Sequence, residues 1–397
     1  MARENLKPKY SIIIPSLNSE NFLSVTLPLI LRSNCDNFEV IVSNNNSSDG
    51  TSAYLEKIQD PRVIKVRPQI RLSMQEHYEF ALSHARGEWI NLLGADDFPL
   101  PTMFSEMDKL LSKSPSADIV TWTRSYFFWP GVEEIYGDVR LSYTELKTQR
   151  KKSSQRTFVL ALLGQHQILD LPQLYTCSFV SARLIGEIKK NGGGCFYTDS
   201  IPDIYSSVEL LLTSSSFIRI AYPLTLVGSS KTSLGIGERI YLDHELNNST
   251  KQNLLSEQTD KELHMQKISP YFLLDCYLSY VAKHSLEIRK SFVILALIGV
   301  SGEFIRRKEF LQKFKLMRRA AQQLDVPTFW LSIAVILSVP NLVFRLLREV
   351  YAKVLKRVLH AFSKDSVKIH ATSKSKIVDL EHALEAIDEI RSKKPIR

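Results

Sequence analysis

Between residues 10 and 130, short runs rich in β-branched residues alternate with helical stretches, the pattern of a mostly parallel sheet flanked by helices. Ser11-Ile12-Ile13-Ile14 predicts a buried strand that stops at Pro15, then a helix from Ser19 to Ser33 and a second strand over Phe38-Glu39-Val40-Ile41-Val42. The polar run from Ser43 to Gly50 can cap a helix from Thr51 to Ile58. Val63-Ile64-Lys65-Val66, a helix from Met74 to Ala85 closed by Gly87, the strand Trp89-Ile90-Asn91-Leu92-Leu93 and the run Ile119-Val120-Thr121-Trp122 continue the rhythm. Sheets of this kind bind ligands outside the carboxyl ends of their strands, so the chemistry is sought in the loops there.

The remaining chain divides by composition. Residues 1–235 are expected as the α/β domain, loosening after 130 into short elements, with Gly192-Gly193-Gly194 among them, that build the far wall of a cleft. Residues 236–325 read as helical, most clearly from Ser269 to His284 and from Ser291 to Val300; residues 366–397 read as a polar tail with one helix from Lys376 to Arg391. The segment 326–365 is different in kind. Thr328 to Phe344 carries no charge but includes Pro340, which leaves a buried core helix, a re-entrant segment and a membrane span in competition. After it, Leu347, Val350, Tyr351, Val354, Val358 and Phe362 recur at helical spacing opposite Arg345, Arg348, Lys353, Lys356, Arg357 and Lys364. Such a helix suits an anionic membrane surface, or equally a packing helix with a solvated basic face. The uncharged neighbour and the basic cluster Arg306, Arg307, Lys308, Arg318 and Arg319 favour the membrane.

A net charge of +9 points to an anionic partner, here nucleotide phosphates or lipid head groups rather than nucleic acid. Cys35, Cys177, Cys195 and Cys276 lie too far apart for a zinc site or a disulfide framework, which fits a reducing compartment. Met1 to Lys9 holds no apolar stretch of the kind a secretory signal needs. The expected location is the cytoplasm, peripheral on the cytoplasmic face of the membrane.

Two adjacent carboxylates, Asp96 and Asp97, follow the apolar strand in Gly94-Ala95-Asp96-Asp97-Phe98-Pro99-Leu100-Pro101. Paired acids there suit a hard cation, Mn²⁺ or Mg²⁺, which takes one or two carboxylates and completes its shell with substrate phosphates. An acidic loop capping the next helix is the competing reading. Further loops at strand ends or helix starts are Pro15-Ser16-Leu17-Asn18, Asn44-Asn45-Asn46-Ser47 and Asp199-Ser200-Ile201-Pro202-Asp203. The run from Gly228 to Gly235 could close over a diphosphate, but it lacks P-loop spacing and so gives no support to an ATPase. His77, His84, His166 and His244 are isolated and read as structural, and the aromatic run from Tyr126 to Trp129 reads as core before sugar platform.

In order and spacing, SIIIPSLN at 11–18, FEVIVSNNNSSDGT at 38–51, ALSHARGEWINLLGADDFPLP at 81–101 and IPDIYSSVELLL at 201–212 resemble the inverting family 2 glycosyltransferases of GT-A fold. The resemblance implies a Rossmann-like sheet and a nucleotide-diphosphate-sugar donor. Pro15, Ser16 and Asn18 would line the base and ribose. Asn44 and Asn45 stand where the family has acids; Asn45 can still hydrogen-bond a base edge. Arg71 and Ser73 would meet the diphosphate, with a solvated surface arginine an equal alternative for Arg71. By the same carry-over Asp97 would bind Mn²⁺ or Mg²⁺, and Asp96 would meet the ribose or share the ion. Gly94 replaces the family's first acid, which throws metal binding onto the donor's own phosphates. Asp203 matches the family's base, with Asp199 the second choice and a helix N-cap the inert alternative for Asp203. The Gln-x-x-Arg-Trp motif of processive members is missing, which favours transfer of one sugar to a glycan or lipid-linked acceptor in surface polysaccharide or lipid-linked glycan synthesis. A nucleotidyltransferase would need a glycine-rich basic loop at the first strand, unlike Pro15-Ser16-Leu17-Asn18. A non-catalytic sugar-nucleotide-binding or scaffold protein with a degenerate site is the other rival.

Overall fold

The computed structural model describes residues 7–33, 35–146, 149–199, 201–231, 233, 269–306, 317–318, 321–322, 324–362, 366–372 and 379–392. Its strands are β1 (Tyr10–Ser16), β2 (Phe38–Asn44), β3 (Val63–Val66), β4 (Trp89–Leu92), β5 (Phe98–Pro99), β6 (Ile119–Trp122) and β7 (Tyr126–Phe128), then β8 (Val139–Leu146), β9 (Gln149–Ser153), β10 (Ser178–Ser181), β11 (Ser216–Ile220), β12 (Thr225–Ser229) and β13 (Ser366–Thr372). Eight of them form a central sheet in the order β3-β2-β1-β4-β10-β6-β11-β9.

The α/β class and the flanking helices are as expected, but the sheet is mixed. β3, β2, β1 and β4 run parallel. β10 is inserted antiparallel between β4 and β6, and β9 lies antiparallel on β11. The reason is local: the Thr176 amide donates to the Leu92 carbonyl at 2.6 Å, so the chain enters β10 at the end where β4 stops and can only run back alongside it.

Along β1 the side chains alternate between two cores, as the two-residue period of a strand requires. Ile12 and Ile14 join Leu23, Leu27 and Ile30 of the helix Glu20–Leu31 on one face. Met103, Phe104, Met107 and Leu110 complete that face from the helix Met103–Lys113, an amphipathic stretch the strand-centred sequence reading passed over. Ile13 belongs to the opposite core, with Phe158, Val208, Leu273 and Val293. Helices Ser269–Lys283 and Lys290–Arg306, expected as a separate region, therefore share the core of the sheet.

A second sheet, in the order β13-β8-β7-β12-β5, stands beside the first. Its outermost strand comes from the region expected as a polar tail: β13 pairs antiparallel with β8, and Leu380, Ala383 and Ile387 of the helix Leu380–Ser392 bury against Phe98, Phe127 and Leu226. The apolar and basic stretches of 326–365 form one helix of 35 residues, Thr328–Phe362, which runs through Pro340. Lys364 and the residues 307–316 and 319–320, which hold most of the second basic cluster, lie outside the described residues, as does His244.

Candidate active site

β4 ends at Leu92, and the chain turns through Gly94-Ala95-Asp96-Asp97 into β5, which pairs with β12 through Phe98 and Leu226. This corner between the two sheets buries Asp97 completely enough to leave it 2% exposed. Its carboxylate is caught by donors from three separate segments. The Gly94 amide and Thr176 Oγ1 donate to Oδ2 at 2.9 and 2.5 Å, and the Gly228 amide donates to Oδ1 at 2.7 Å. Asp96 turns the other way, where Ser230 and Ser233 hydroxyls donate to its Oδ2 at 2.9 and 3.0 Å. The Trp129 indole donates to the Asp96 carbonyl at 3.1 Å. A side chain at Gly228 is excluded, because its Cβ would sit 1.9 Å from that carbonyl oxygen.

Burial, and then the neighbouring charge of Asp96, push the Asp97 carboxyl up to about 7, against the pull of its three donors. Burial also raises Asp96, against its two serines. Neither acid is near enough to the next helix to cap it: Thr102 precedes Met103, and no side-chain cap is made there. The capping alternative is thereby removed.

Asp203 is the second residue of the helix Pro202–Thr213, behind Ile201 at the N-cap position. It is not the cap. Burial raises its carboxyl, while the Ile204 amide and the charge of Arg124 hold it down. Tyr175, whose hydroxyl would stand 3.1 Å from a Cβ at Gly94, stacks on Tyr78 with ring centroids 6.4 Å apart and planes at 22°. Burial raises both hydroxyls, and the charges of Asp96, Asp97 and Asp203 raise them further. Asp199 is engaged elsewhere, accepting from Ser279 Oγ at 2.7 Å and from the Ile201 amide at 3.1 Å.

The first two strand-end loops are laced to each other. Asn18 adopts a left-handed φ of 52° and accepts from the Ser48 amide at 2.8 Å, while its own amide donates to Ser47 Oγ at 2.9 Å. Pro15 and Ser16 lie opposite Ser43 and Asn44 in the β1–β2 register. Ser16 Oγ is buried without a hydrogen-bond partner, the kind of hydroxyl a ligand completes. Asn45 binds the chain itself: its amide donates to the Leu72 carbonyl and accepts from the Leu72 amide, both at 2.9 Å. Asn44 holds Ser52 and the Ser47 amide. Ser73 is the N-cap of the helix Met74–Ser83, in a reciprocal capping box with Glu76. Arg71, two residues before it, is exposed.

The donor set suits a hard cation that brings its own phosphates. Among the described residues no group of three His, Cys, Asp or Glu converges, and the acidic pair supplies two carboxylates there. Asp97 Oδ2 already accepts two hydrogen bonds, which leaves Oδ1 as the oxygen able to face an ion. At Gly94 a Cβ would stand 2.9 Å from Asp96 Oδ1 and 3.0 Å from Asp97 Oδ2. A third acid would crowd both.

Thr176, Tyr175 and Tyr78 carry no signal in the sequence, whereas Ser230 lies in the Gly228–Gly235 run already singled out there. Thr176 is the most unusual of them, a β-branched residue at φ 36° inside a tight turn whose Cys177 amide returns to the Tyr175 carbonyl at 2.5 Å. A β-branched residue held at positive φ is a clue only a structure can give. A cavity of about 440 Å³ lined by Leu212, Tyr277, Arg289 and Phe292 opens elsewhere and touches none of the acids.

The acidic pair thus sits at a strand's carboxyl end, where α/β sheets bind their ligands. Residues 11–161 match the family model described as glycosyl transferase family 2, and over that stretch the chain is similar to that family. An uncharacterized glycosyltransferase of Haemophilus influenzae is 26% identical over 121 residues, covering 30% of this chain and 36% of that protein. The Escherichia coli UDP-Glc:alpha-D-GlcNAc-diphosphoundecaprenol beta-1,3-glucosyltransferase WfaP is 30% identical over 95 residues, covering 24% and 38%. The chain thus spans little more than a third of the length of these curated relatives. Among solved structures, S. aureus TarS in complex with UDP-GlcNAc is similar with a TM-score of 0.45 and 14% identity, over 87% of this chain and 92% of that one.

Proposed function

We propose that the protein moves a single sugar from a nucleotide-diphosphate sugar to an acceptor hydroxyl with inversion at the anomeric carbon. The observation that carries this reading is a set of three acids whose charges all reach Tyr78 and Tyr175: Asp96 and Asp97 fixed at the sheet corner, and Asp203 at a helix start with no side-chain partner among the described residues. Asp203 takes the proton of the attacking hydroxyl, the new glycosidic bond forms on the face opposite the leaving group, and the electron pair of the broken C–O bond departs with the diphosphate. Burial raises the Asp203 carboxyl, which favours proton uptake, and the Ile204 amide and the charge of Arg124 oppose that rise.

Asp97, through Oδ1, and Asp96 are the residues that would hold Mn²⁺ or Mg²⁺, which when bound neutralises charge on the departing diphosphate. Pro15, Ser16 and Asn18 form the donor's nucleoside wall, and the orphaned Ser16 hydroxyl supports that role. Asn45 takes less part than the family pattern implies, since its amide is committed to Leu72. The acceptor is read as a lipid-linked glycan, as in the names of the E. coli and Campylobacter jejuni relatives, with the enzyme peripheral on the cytoplasmic face of the membrane.

Asp203→Asn tests the reading. Turnover of a UDP-sugar should fall by about 10²–10⁴-fold, the span that removal of a general base produces, with donor KM little changed. Unchanged turnover would sink the assignment. A degenerate, non-catalytic site, favoured by Gly94 and the committed Asn45, would instead show donor-induced thermal stabilisation with no turnover in the unmutated chain.

A further inference from the structure

The helix Thr328–Phe362 has two unlike sides. Its inner side packs on the helix Lys290–Arg306, burying Leu331, Ala334 and Ser338. Every described polar side-chain contact from Asn341 to Arg348 turns the same way. Asn341 Nδ2 donates to the Leu163 carbonyl at 2.9 Å, Arg345 pairs with the buried Glu303, and Arg348 donates to the Gln165 carbonyl. The outer side carries Phe329, Trp330, Ile336, Val343, Phe344 and Leu347, all exposed, with Ile336 at 69%. No acidic residue occurs between Thr328 and Arg348. So continuous an apolar face on a water-facing helix marks an interaction surface.

We infer that this outer face lies flat in the interfacial layer of an anionic lipid bilayer, without crossing it. Three observations select lipid and this orientation. Exposed Arg289 and Lys290 stand at the start of the neighbouring helix, where Lys290 pairs with Asp325 just before Thr328, and Lys353, Lys356 and Arg357 follow in sequence after the apolar stretch. Basic residues at both ends of an apolar face match anionic head groups, whereas two copies of the chain packed face to face would bring like charges together. The 21 residues from Thr328 to Arg348 are long and apolar enough to cross a bilayer. Crossing would nonetheless peel the helix from Lys290–Arg306 and carry Arg345 and Arg348 into hydrocarbon stripped of Glu303 and Gln165, while lying flat keeps every inner contact. This placement rests on the lipid-linked acceptor of the proposed function for its purpose only, and is tested apart from it.

The experiment is flotation of the full chain with neutral phosphatidylcholine vesicles and with vesicles containing phosphatidylglycerol, for the unmutated protein and for Ile336→Glu with Phe344→Glu. Both positions are solvent-exposed and outside the site, so the double variant keeps its fold, which a matched thermal melt verifies. The expected result is binding that rises at least tenfold with phosphatidylglycerol, is lost in the double variant, and is stripped by alkaline carbonate as a surface-lying helix is. No binding to either vesicle, equal binding by the variant, resistance to carbonate, or a vesicle-free dimer that the variant dissolves would each overturn it. UDP-sugar turnover measured in the same samples separates the two readings: turnover without flotation overturns the docking alone, and flotation without turnover overturns the transferase alone.

Discussion

Asp97 is held by donors from three parts of the chain, and only Thr176 among them supplies a side chain. The Thr176 hydroxyl shares the duty of compensating a buried carboxylate whose proton affinity is already raised. Replacing it with Val keeps the shape and removes the donor. Hydrogen bonds to charged groups contribute about 1.5–3 kcal/mol. Thr176→Val should therefore raise the Mn²⁺ concentration needed for half-maximal turnover by roughly tenfold or more, with Thr176→Ser restoring most of it. Metal titration of initial rates reads this directly; equal metal dependence in all three proteins would mean that Thr176 only builds the turn. The acidic pair itself was legible from its place after an apolar strand. That Thr176 and Gly228 serve it was not, because they reach Asp97 from 79 and 131 residues away.

At the scale of elements, the helix that carries Asp203 is fastened from behind. Glu209, fully buried, accepts from Lys283 Nζ at 2.5 Å and Tyr205 OH at 2.5 Å, and His284 Nε2 stands 3.1 Å from its other oxygen. Lys283 also donates to the Phe196 carbonyl at 2.9 Å. Removing one member of a buried ion pair strands the other, at a cost of about 3–5 kcal/mol. Lys283→Ala should lower stability by that order in chemical denaturation and reduce turnover, because Asp203 sits on the helix thereby loosened. Lys283→Ala together with Glu209→Gln should recover much of the loss. The sequence offered a helix start at Asp203 and an apolar helix from Ser269 to His284, but carried no information on which side of each would meet the other. The same limit hid β13: its residues pair with β8 across more than 200 positions of chain.

For the whole molecule, the helices after residue 269 and the sheet share one core, so folding of the site and of the helical region is expected to be a single event. Protonation of one buried histidine should weaken that unit. His77 is buried against β2, its Nε2 2.8 Å from Ser43 Oγ and 3.1 Å from the Ser43 carbonyl, and burial drives its imidazole down to about 4. A depressed histidine binds fewer protons folded than unfolded, so stability is complete above the unfolded value, about 6.5, and is lost as pH falls toward 4. Integrated over that window the term is on the order of 3 kcal/mol. The raised Asp97 carboxyl works in the opposite sense over the same range, so the readout is a difference: between pH 7 and 5 the melting midpoint should fall more, or rise less, in the unmutated protein than in His77→Gln, and parallel profiles would sink the His77 assignment.

The strand–helix alternation, the acidic pair and the charge-free apolar stretch were all determined by the sequence, because each is a pattern of near neighbours whose physics is local periodicity or local charge. Which way β10 runs, which segments cradle Asp97, what occupies Asn45 and which side of the Thr328–Phe362 helix faces out were decided only by the tertiary structure. Those depend on close packing between segments far apart in the chain, where a hydrogen bond or a buried face is settled by the partner that arrives and not by the residue that awaits it.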